Sequence, residues 1–175
     1  MKGGVLWMTG VPGSGKTTTA KRLLARFAER GLATLWLDSD DLRSVVPVGY
    51  DDAGRDAFYA LIGHLALLGV QGGCLVVISA TASRRTFRDE VRKRLGARFV
   101  EVMLTTSPEA LRRDRDVKGL YAKAQSGEIT SLPGVGVPFE SGGAELVIDT
   151  SSLTPEAVER LVYGWLEHER PGLLV

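Results

Sequence analysis

The chain has 175 residues and a mass of 18.9 kDa, the usual size of one compact domain, so a single domain over residues 1–175 is expected. Apolar residues make up 44%, charged residues 25% and aromatic residues 7%, which excludes disordered, collagen-like and disulfide-scaffold proteins. Lys and Arg number 22 against 21 Asp and Glu. The resulting formal charge of +1 offers no basic field for nucleic acid or for an anionic membrane, so neither partner is expected.

The only cysteine, Cys74, cannot form a disulfide within the chain. The N-terminus lacks the long apolar segment and the small-residue cleavage site of a secretory signal. No uncharged apolar stretch reaches the ~18 residues that a membrane-spanning helix needs. These features predict a cytoplasmic protein.

Strand and helix patterns alternate along the chain. Apolar runs predict strands at residues 5–9, 33–37, 74–79, 98–104 and 146–148. Helical patterns begin near residues 16, 51, 83, 108 and 155. The strand runs are continuously apolar rather than alternating, as in a parallel sheet that helices cover on both faces. The predicted fold class is α/β, a three-layer α/β/α sandwich with a mostly parallel sheet.

One segment, at about residues 114–143, interrupts this alternation. It has no clear strand and is rich in glycine and proline in its second half. A connection of that length inside a compact domain is usually either a functional lid or a disordered segment. We interpret it as a lid.

The strongest motif lies between the first strand and the first helix. Residues 10–17 read Gly-Val-Pro-Gly-Ser-Gly-Lys-Thr and fit the phosphate-loop pattern G-x-x-x-x-G-K-[ST]. In this context the glycines let backbone N–H groups surround phosphates at a helix N-terminus. Lys16 is expected to reach the β- and γ-phosphates, and the Thr17 hydroxyl to bind the accompanying Mg²⁺. The motif predicts a nucleotide-binding fold of the P-loop NTPase type.

Two acidic residues, Asp38 and Asp40, follow the second strand. Ligands bind at the carboxyl edge of open α/β sheets, so both carboxylates could face the phosphates. Asp40 is the candidate base for an acceptor hydroxyl, and Asp38 is the candidate for a water-mediated Mg²⁺ contact. The alternative is that these residues cap the next short helix. The chain contains no Asn-Lys-x-Asp string for reading guanine, which favours a small kinase over a GTPase.

The lid carries the sequence Arg-Asp-Val-Lys-Gly-Leu-Tyr at residues 115–121, continuing Ala-Lys-Ala-Gln-Ser-Gly-Glu-Ile to residue 129. With the phosphate loop, the stretch at residues 37–43, Arg55 and the closing Leu-Val-Ile-Asp-Thr at 146–150, it resembles the adenylylsulfate kinase family. The resemblance implies an ATP- and Mg²⁺-dependent enzyme that phosphorylates the 3′-hydroxyl of adenylyl sulfate. The products would be 3′-phosphoadenylyl sulfate and ADP, a step of sulfate assimilation. A homodimer is typical of the family.

The resemblance also implies residue roles. The ATP side would consist of Gly10, Gly13, Ser14, Gly15, Lys16, Thr17, Thr18 and Arg115. The acceptor side would consist of Asp38, Asp40, Arg43, Tyr50, Arg55, Lys118 and Leu132.

The departures from the family pattern fall on the acceptor side. Family members hold the acceptor adenine between two Phe rings, where this chain has Tyr50 and Leu132. Two alternatives follow: a related kinase for another small anionic nucleotide or alcohol, or an ATP-binding homologue that does not catalyse transfer. The Arg-rich helix after the third strand either supplies guanidinium groups to an anionic acceptor or presents a solvated face, and the latter is expected for most of its basic residues.

Overall fold

The computed structural model describes residues 3–111, 116, 119–130 and 132–175. Its centre is a five-stranded sheet in the order β2-β3-β1-β4-β5 in which every pairing is parallel. The strands are β1 (Gly4–Thr9), β2 (Thr34–Asp38), β3 (Leu75–Ser79), β4 (Phe99–Thr105) and β5 (Leu146–Asp149). All five predicted strands are confirmed to within about two residues.

The helices are α1 (Lys16–Glu29), α2 (Ser39–Val45), α3 (Asp52–Gln71), α4 (Arg85–Leu95), α5 (Pro108–Ala110), α6 (Leu120–Gln125) and α7 (Pro155–Glu169). Side-chain caps mark several of their N-termini: Asp51 for α3, Ser107 for α5 and Thr154 for α7. Helix α4 begins two residues later than predicted because Arg84 is still extended. The short α6 was not predicted and lies inside the lid.

Helices cover both faces of the sheet, which confirms the predicted three-layer sandwich. On one face, α1 and α7 supply Leu23, Phe27 and Val162 to one apolar core. On the other face, α3 and α4 supply Phe58 and Val91 to a second core. The two faces of β1 feed both cores, which is why its sequence is continuously apolar.

The parallel strands bring their carboxyl ends to one edge of the sheet. That edge receives the loop after β1, the start of α2 after β2 and the turn after β3. Chemistry-bearing residues far apart in the chain therefore meet there. Among the described residues, no helix is both long enough and apolar enough to cross a membrane.

Candidate active site

The phosphate loop folds tightly against the end of β4. Gly10 has a φ of +142°, and a Cβ on it would lie 2.2 Å from the carbonyl oxygen of Leu104. Gly13 and Gly15 also have positive φ values, +80° and +95°. These positions require glycine for conformation, and Gly10 also for the close approach of two backbones. The predicted role of the glycines as loop formers agrees with this geometry.

Lys16 extends back across the loop that precedes it. Its Nζ donates to the carbonyl oxygens of Gly10 and Val11 at 2.9 and 3.0 Å, and the side chain is only 8% exposed. The ammonium group is thereby held over the concave side of the loop. A buried cation in that position is suited to phosphate oxygens.

The N-terminus of α1 opens into a cleft of about 570 Å³. Within the described part of the chain no side chain caps this helix, and its first turn contains no acidic residue. Its first N–H groups therefore have the orientation and the positive dipole end that an anion needs. The predicted ATP-side residues that line the cleft are Gly13, Ser14, Gly15, Lys16, Thr17 and Thr18. Gly10 is not one of the residues that line the cleft, and Arg115 lies outside the described residues.

Asp38 lies behind the cleft wall and is hydrogen-bonded to two residues that line the cleft, Thr17 and Ser79. Its Oδ2 accepts hydrogen bonds from the Thr17 hydroxyl at 2.9 Å and the Ser79 hydroxyl at 2.7 Å. Its Oδ1 accepts from the backbone N–H of Asp40 at 2.9 Å and more weakly from that of Asp41. Burial alone raises the pKa of the Asp38 carboxyl, but the hydrogen bonds outweigh burial and lower the pKa below its usual value. Asp38 is therefore an ionised acceptor.

The helix-capping alternative is confirmed for Asp38, which is the N-cap of α2. Capping and cleft placement are compatible here because the two carboxylate oxygens take separate partners. Asp40 differs, since its side chain is exposed and lines the cleft. The structure thus brings Lys16, Thr17, Asp38 and Asp40 together, as the sequence predicts.

The acceptor-side candidates are arranged around a stacked arginine. The guanidinium of Arg43 lies between two rings, 4.3 Å from the Tyr50 centroid and 3.9 Å from the Phe58 centroid. Tyr50 is 64% exposed, whereas Phe58 is fully buried. Arg55 is 9% exposed and belongs to α3, on the same side of the sheet. Cation–π contact of this kind fixes a guanidinium fork in place.

Leu132 belongs to a turn of the lid. It is only 5% exposed, and its carbonyl oxygen accepts the N–H groups of residues 135–137 in a tight turn. Neither Tyr50 nor Leu132 lines the cleft at the phosphate loop. Lys118 lies outside the described residues.

The turn after β3 contains features that sequence reasoning missed. Ala82 has a φ of +42°, rare for a residue other than glycine, and is fully buried. Its N–H donates to the Tyr59 hydroxyl at 2.8 Å, and its carbonyl oxygen accepts from Arg88. Burial raises the pKa of Tyr59. Two side chains thus hold a strained turn at the edge of the site.

Arg88 is completely buried and is therefore not part of the solvated basic face expected for most basic residues of this helix. Its Nε lies 2.8 Å from Oε1 of Glu101 on β4, and its Nη2 donates to the carbonyl oxygen of Glu140 at 2.7 Å. Arg92 also pairs with Glu101, at 3.0 Å. The reason is that α4 packs this side against β4, where a buried carboxylate neutralises both guanidinium groups.

The lid contacts the phosphate loop directly. The Tyr121 hydroxyl donates to the carbonyl oxygen of Pro12 at 2.9 Å, and Tyr121 lines the cleft. Burial, with a smaller effect of Asp116, raises the pKa of Tyr121 to about 12, so the phenol remains a hydrogen-bond donor at neutral pH. At Gly134, a Cβ would lie 2.9 Å from Cγ1 of Val11. Two parts of the lid therefore rest on the same loop.

This combination of features defines a class of protein. The phosphate loop supplies a lysine and a threonine, and an ionised carboxylate lies beside the threonine. A second carboxylate lines the cleft, and a lid contacts the loop. These are the parts of a small ATP-dependent kinase.

Comparison with known proteins identifies the family. The adenylylsulphate kinase family model matches residues 2–149, and the chain belongs to that family. It is 39% identical over 172 residues to the adenylyl-sulfate kinase of Shewanella amazonensis, covering 93% of this chain and 86% of that one. It is 38% identical over 165 residues to that of Klebsiella pneumoniae, covering 92% and 82%.

A solved structure supports the same assignment. The chain superposes on the APS kinase of Mycobacterium tuberculosis, solved in complex with AMPPNP and APS, with a TM-score of 0.86 and 31% identity. The match covers 95% of this chain and 98% of that one. The family and the P-loop kinase fold predicted from the sequence are confirmed, and the chain is an ATP-dependent phosphotransferase.

Proposed function

We propose that this chain transfers the γ-phosphoryl group of ATP to the 3′-hydroxyl of adenylyl sulfate, giving 3′-phosphoadenylyl sulfate and ADP as a step of sulfate assimilation. The observation that carries the proposal is the Thr17–Asp38 hydrogen bond of 2.9 Å at the foot of a cleft that also holds Lys16 and Asp40. Family membership and the likeness to a kinase solved with AMPPNP and APS support the choice of substrates.

Each residue of the cleft then has a distinct task. The N–H groups at the start of α1 and the Lys16 ammonium bind the β- and γ-phosphates and neutralise the charge that develops as the phosphoryl group moves. Asp40 orients the acceptor hydroxyl and takes its proton as the new phosphorus–oxygen bond forms. Tyr121 keeps the lid on the phosphate loop, which excludes water from the reacting groups.

The arrangement of Thr17 fits Mg²⁺. Asp38 is ionised and can only accept hydrogen bonds, so the Thr17 hydroxyl must be the donor in its hydrogen bond to Asp38. The oxygen lone pairs of Thr17 are then free for a cation, and Asp38 can bind a metal-coordinated water. When bound with the nucleotide, Mg²⁺ supplies charge neutralisation between the β- and γ-phosphates.

On the acceptor side, Arg43 and Arg55 provide guanidinium groups for the anionic end of adenylyl sulfate. The stacking of Arg43 between Tyr50 and Phe58 favours this role because it holds the fork near α2, the helix that also carries Asp40. Arg115 and Lys118 keep the roles that the resemblance implies, on the ATP side and the acceptor side respectively.

A second candidate is a kinase for a different small anionic acceptor. The observation that favours it is the same stack: the Arg43 guanidinium covers one face of Tyr50, and Leu132 is buried in its own turn. An acceptor base would therefore meet an aromatic ring on one side only. Such a pocket would differ from the sandwich of two Phe rings that is typical of the family.

The two candidates are separated by measuring ADP formation from Mg²⁺-ATP with adenylyl sulfate, other nucleotides and small alcohols, beside a control without acceptor. The proposed function predicts acceptor-dependent turnover that is fastest with adenylyl sulfate. Faster turnover with another acceptor would support the second candidate. ATP binding without transfer to any acceptor would contradict both and leave a nucleotide-binding protein.

We further propose a homodimer, as the family resemblance implies. Light scattering of the purified chain would then give twice the chain mass of 18.9 kDa. A mass equal to one chain over the working concentration range would contradict it.

A further inference from the structure

The Asp38 carboxylate has a neighbour that the proposed mechanism does not use. Ser79, the last residue of β3, donates its hydroxyl hydrogen to Asp38 Oδ2 at 2.7 Å. The two residues are register partners across the parallel pair of β2 and β3, and Ser79 is 2% exposed. The contact therefore joins the side chains of the last residues of two paired strands, whose backbones the sheet holds in place.

A third residue extends the contact. The indole Nε1 of Trp36 donates to the Ser79 hydroxyl oxygen at 3.0 Å. Trp36 precedes Asp38 by two residues on β2, so both side chains project from the same face of the sheet. The ammonium of Lys21 lies 5.8 Å from the indole ring centroid and contributes a cation–π contact that helps to hold the ring.

Donor and acceptor chemistry fixes the direction of the hydrogen bonds from Trp36 to Ser79 and from Ser79 to Asp38. The indole N–H can only donate, and an ionised carboxylate can only accept. The Ser79 hydroxyl must therefore accept from Trp36 and donate to Asp38. On the far side of Asp38, the Thr17 hydroxyl also donates to Oδ2. Both hydroxyl hydrogens converge on one oxygen atom, which leaves the lone pairs of Thr17 directed away from Asp38.

We propose that Ser79 and Trp36 are positioning residues that hold Asp38 in the orientation that keeps the Thr17 hydroxyl available to the nucleotide-bound cation. The inference rests on the proposed function for the assignment of Thr17 to Mg²⁺. Ser79 lines the cleft and Trp36 does not, and the role proposed for both is to hold Asp38. Ser79 acts on Asp38, and Trp36 acts through Ser79.

The consequence is an effect on metal-dependent binding rather than on nucleotide binding as such. Without the Ser79 hydroxyl, Oδ2 of Asp38 loses one of its two fixed donors and the carboxylate can turn toward solvent. Thr17 then loses the acceptor that orients its hydrogen. The phosphate contacts of Lys16 and the α1 N-terminus do not depend on the hydrogen bonds of Trp36 and Ser79 and should persist.

The test is calorimetric titration of the full chain with a non-hydrolysable ATP analogue over a series of Mg²⁺ concentrations. In Ser79→Ala, the Mg²⁺ concentration that gives half of the affinity gain should rise about ten-fold. This is the lower end of the effects expected when a hydrogen bond to a charged group is lost. Affinity without Mg²⁺ should stay within about two-fold of the unmodified chain. In Trp36→Phe, which keeps Ser79, the rise should be about three-fold.

The double variant Trp36→Phe with Ser79→Ala tests whether the two residues act on Asp38 in series or independently. Because Trp36 acts through Ser79, the double variant should match Ser79→Ala rather than show the product of the two effects. Trp165→Phe is the matched control: this residue lies on α7, and its loss should leave the Mg²⁺ dependence unchanged. Circular dichroism and thermal melting establish that each variant is folded.

A folded Ser79→Ala whose Mg²⁺ dependence equals that of the unmodified chain would overturn the inference, and so would effects of the two substitutions that simply multiply. If Ser79→Ala does not fold, an unchanged Mg²⁺ dependence in Trp36→Phe would overturn it instead. Binding by the unmodified chain that does not respond to Mg²⁺ would also contradict it. Since no acceptor is present, failure to phosphorylate adenylyl sulfate would contradict only the proposed function.

Discussion

At the scale of single residues, the site consists of a few charged side chains, and their hydrogen-bond partners fix the positions of two of them, Lys16 and Asp38. Lys16 and Asp38 are both nearly buried; Lys16 bonds to the phosphate loop, and Asp38 bonds to Thr17, to Ser79 and to the backbone at the start of α2. Asp40 is exposed in the cleft. Removal of one of these groups should therefore affect chemistry and folding to different degrees.

Replacement of Lys16 by alanine should lower phosphoryl transfer by about 100- to 1000-fold, because the variant lacks the cation that stabilises charge on the transferred group. The melting temperature should change little, because the hydrogen bonds of Lys16 to the carbonyl oxygens of Gly10 and Val11 lie within its own loop. Initial rates and thermal melts measure both effects. Lys93→Ala, on the outer side of α4, is the control. A variant of Lys16 that loses stability but keeps its turnover would contradict the assigned role.

Asp40→Asn should lower turnover by about 100-fold or more if this carboxylate receives the acceptor proton. Affinity for ATP should be nearly unchanged, because the phosphate contacts come from the loop and α1. Steady-state kinetics and nucleotide titration of the same preparation measure the two quantities. Equal turnover in the variant and the unmodified chain would remove Asp40 from the role of base.

The residues of the site were predictable to the extent that they belong to local motifs. The phosphate loop is contiguous in sequence, so its residues and their placement before α1 follow from the pattern alone. The hydrogen bond from Ser79 to Asp38 joins residues 41 positions apart, and only the strand register brings them together. Arg88 shares its pattern with exposed neighbours, and a carboxylate on β4 decides its burial.

At the scale of elements, the phosphate loop and the lid form one unit. The loop lies against the end of β4, and the lid contacts the loop through Tyr121 and Gly134. The pattern of residues 114–143 predicts a lid but not the short helix α6. Asp116 explains that helix in part, because its carboxylate accepts the N–H groups of Tyr121 and Ala122.

Gly10→Ala tests the tight approach of the loop to β4. The added Cβ would lie 2.2 Å from the Leu104 carbonyl oxygen at a positive φ, so the free energy of unfolding should fall by about 2–4 kcal/mol and ATP affinity should decrease. Gly164→Ala is the matched control, since its Cβ position inside α7 has no atom of another described residue within 4 Å, apart from its chain neighbours and the backbone of its own helix. It should stabilise the chain by up to about 1 kcal/mol. Equal denaturation midpoints for the two variants would contradict the explanation.

Tyr121→Phe removes only the hydroxyl that joins the lid to Pro12. Loss of one hydrogen bond of about 1 kcal/mol should reduce kcat/KM for ATP by roughly five-fold while the aromatic ring keeps its packing. Tyr121→Ala should reduce it further. Initial-rate kinetics at saturating acceptor measure this. If the Phe variant were as fast as the unmodified chain, the hydrogen bond would have no part in catalysis.

At the scale of the whole molecule, a buried ionic network ties the sheet to the end of the lid. Arg88 and Arg92 pair with Glu101 on β4, and Arg88 also reaches the backbone of Glu140. Burial raises the pKa of Glu101 above its usual value, although both arginines act against that rise. The network crosses from α4 to β4 and beyond, so its effect is on the stability of the fold.

Arg88→Ala should lower the free energy of unfolding by about 3–5 kcal/mol, because it leaves Glu101 buried with one partner fewer. Arg94→Ala, which changes an exposed residue of the same helix, should change it by less than about 0.5 kcal/mol. Urea denaturation of both variants gives the comparison. Similar losses in both would mean that Arg88 stabilises the chain no more than a surface residue.

The most direct test of the central claim is the identity of the product. The unmodified chain, incubated with Mg²⁺-ATP and adenylyl sulfate, should convert both substrates in equal amounts, and mass spectrometry with ³¹P NMR should locate the new phosphate on the 3′-oxygen of the acceptor. ADP should be the other product. Recovery of unmodified adenylyl sulfate, or of a phosphate at any other position, would contradict the account.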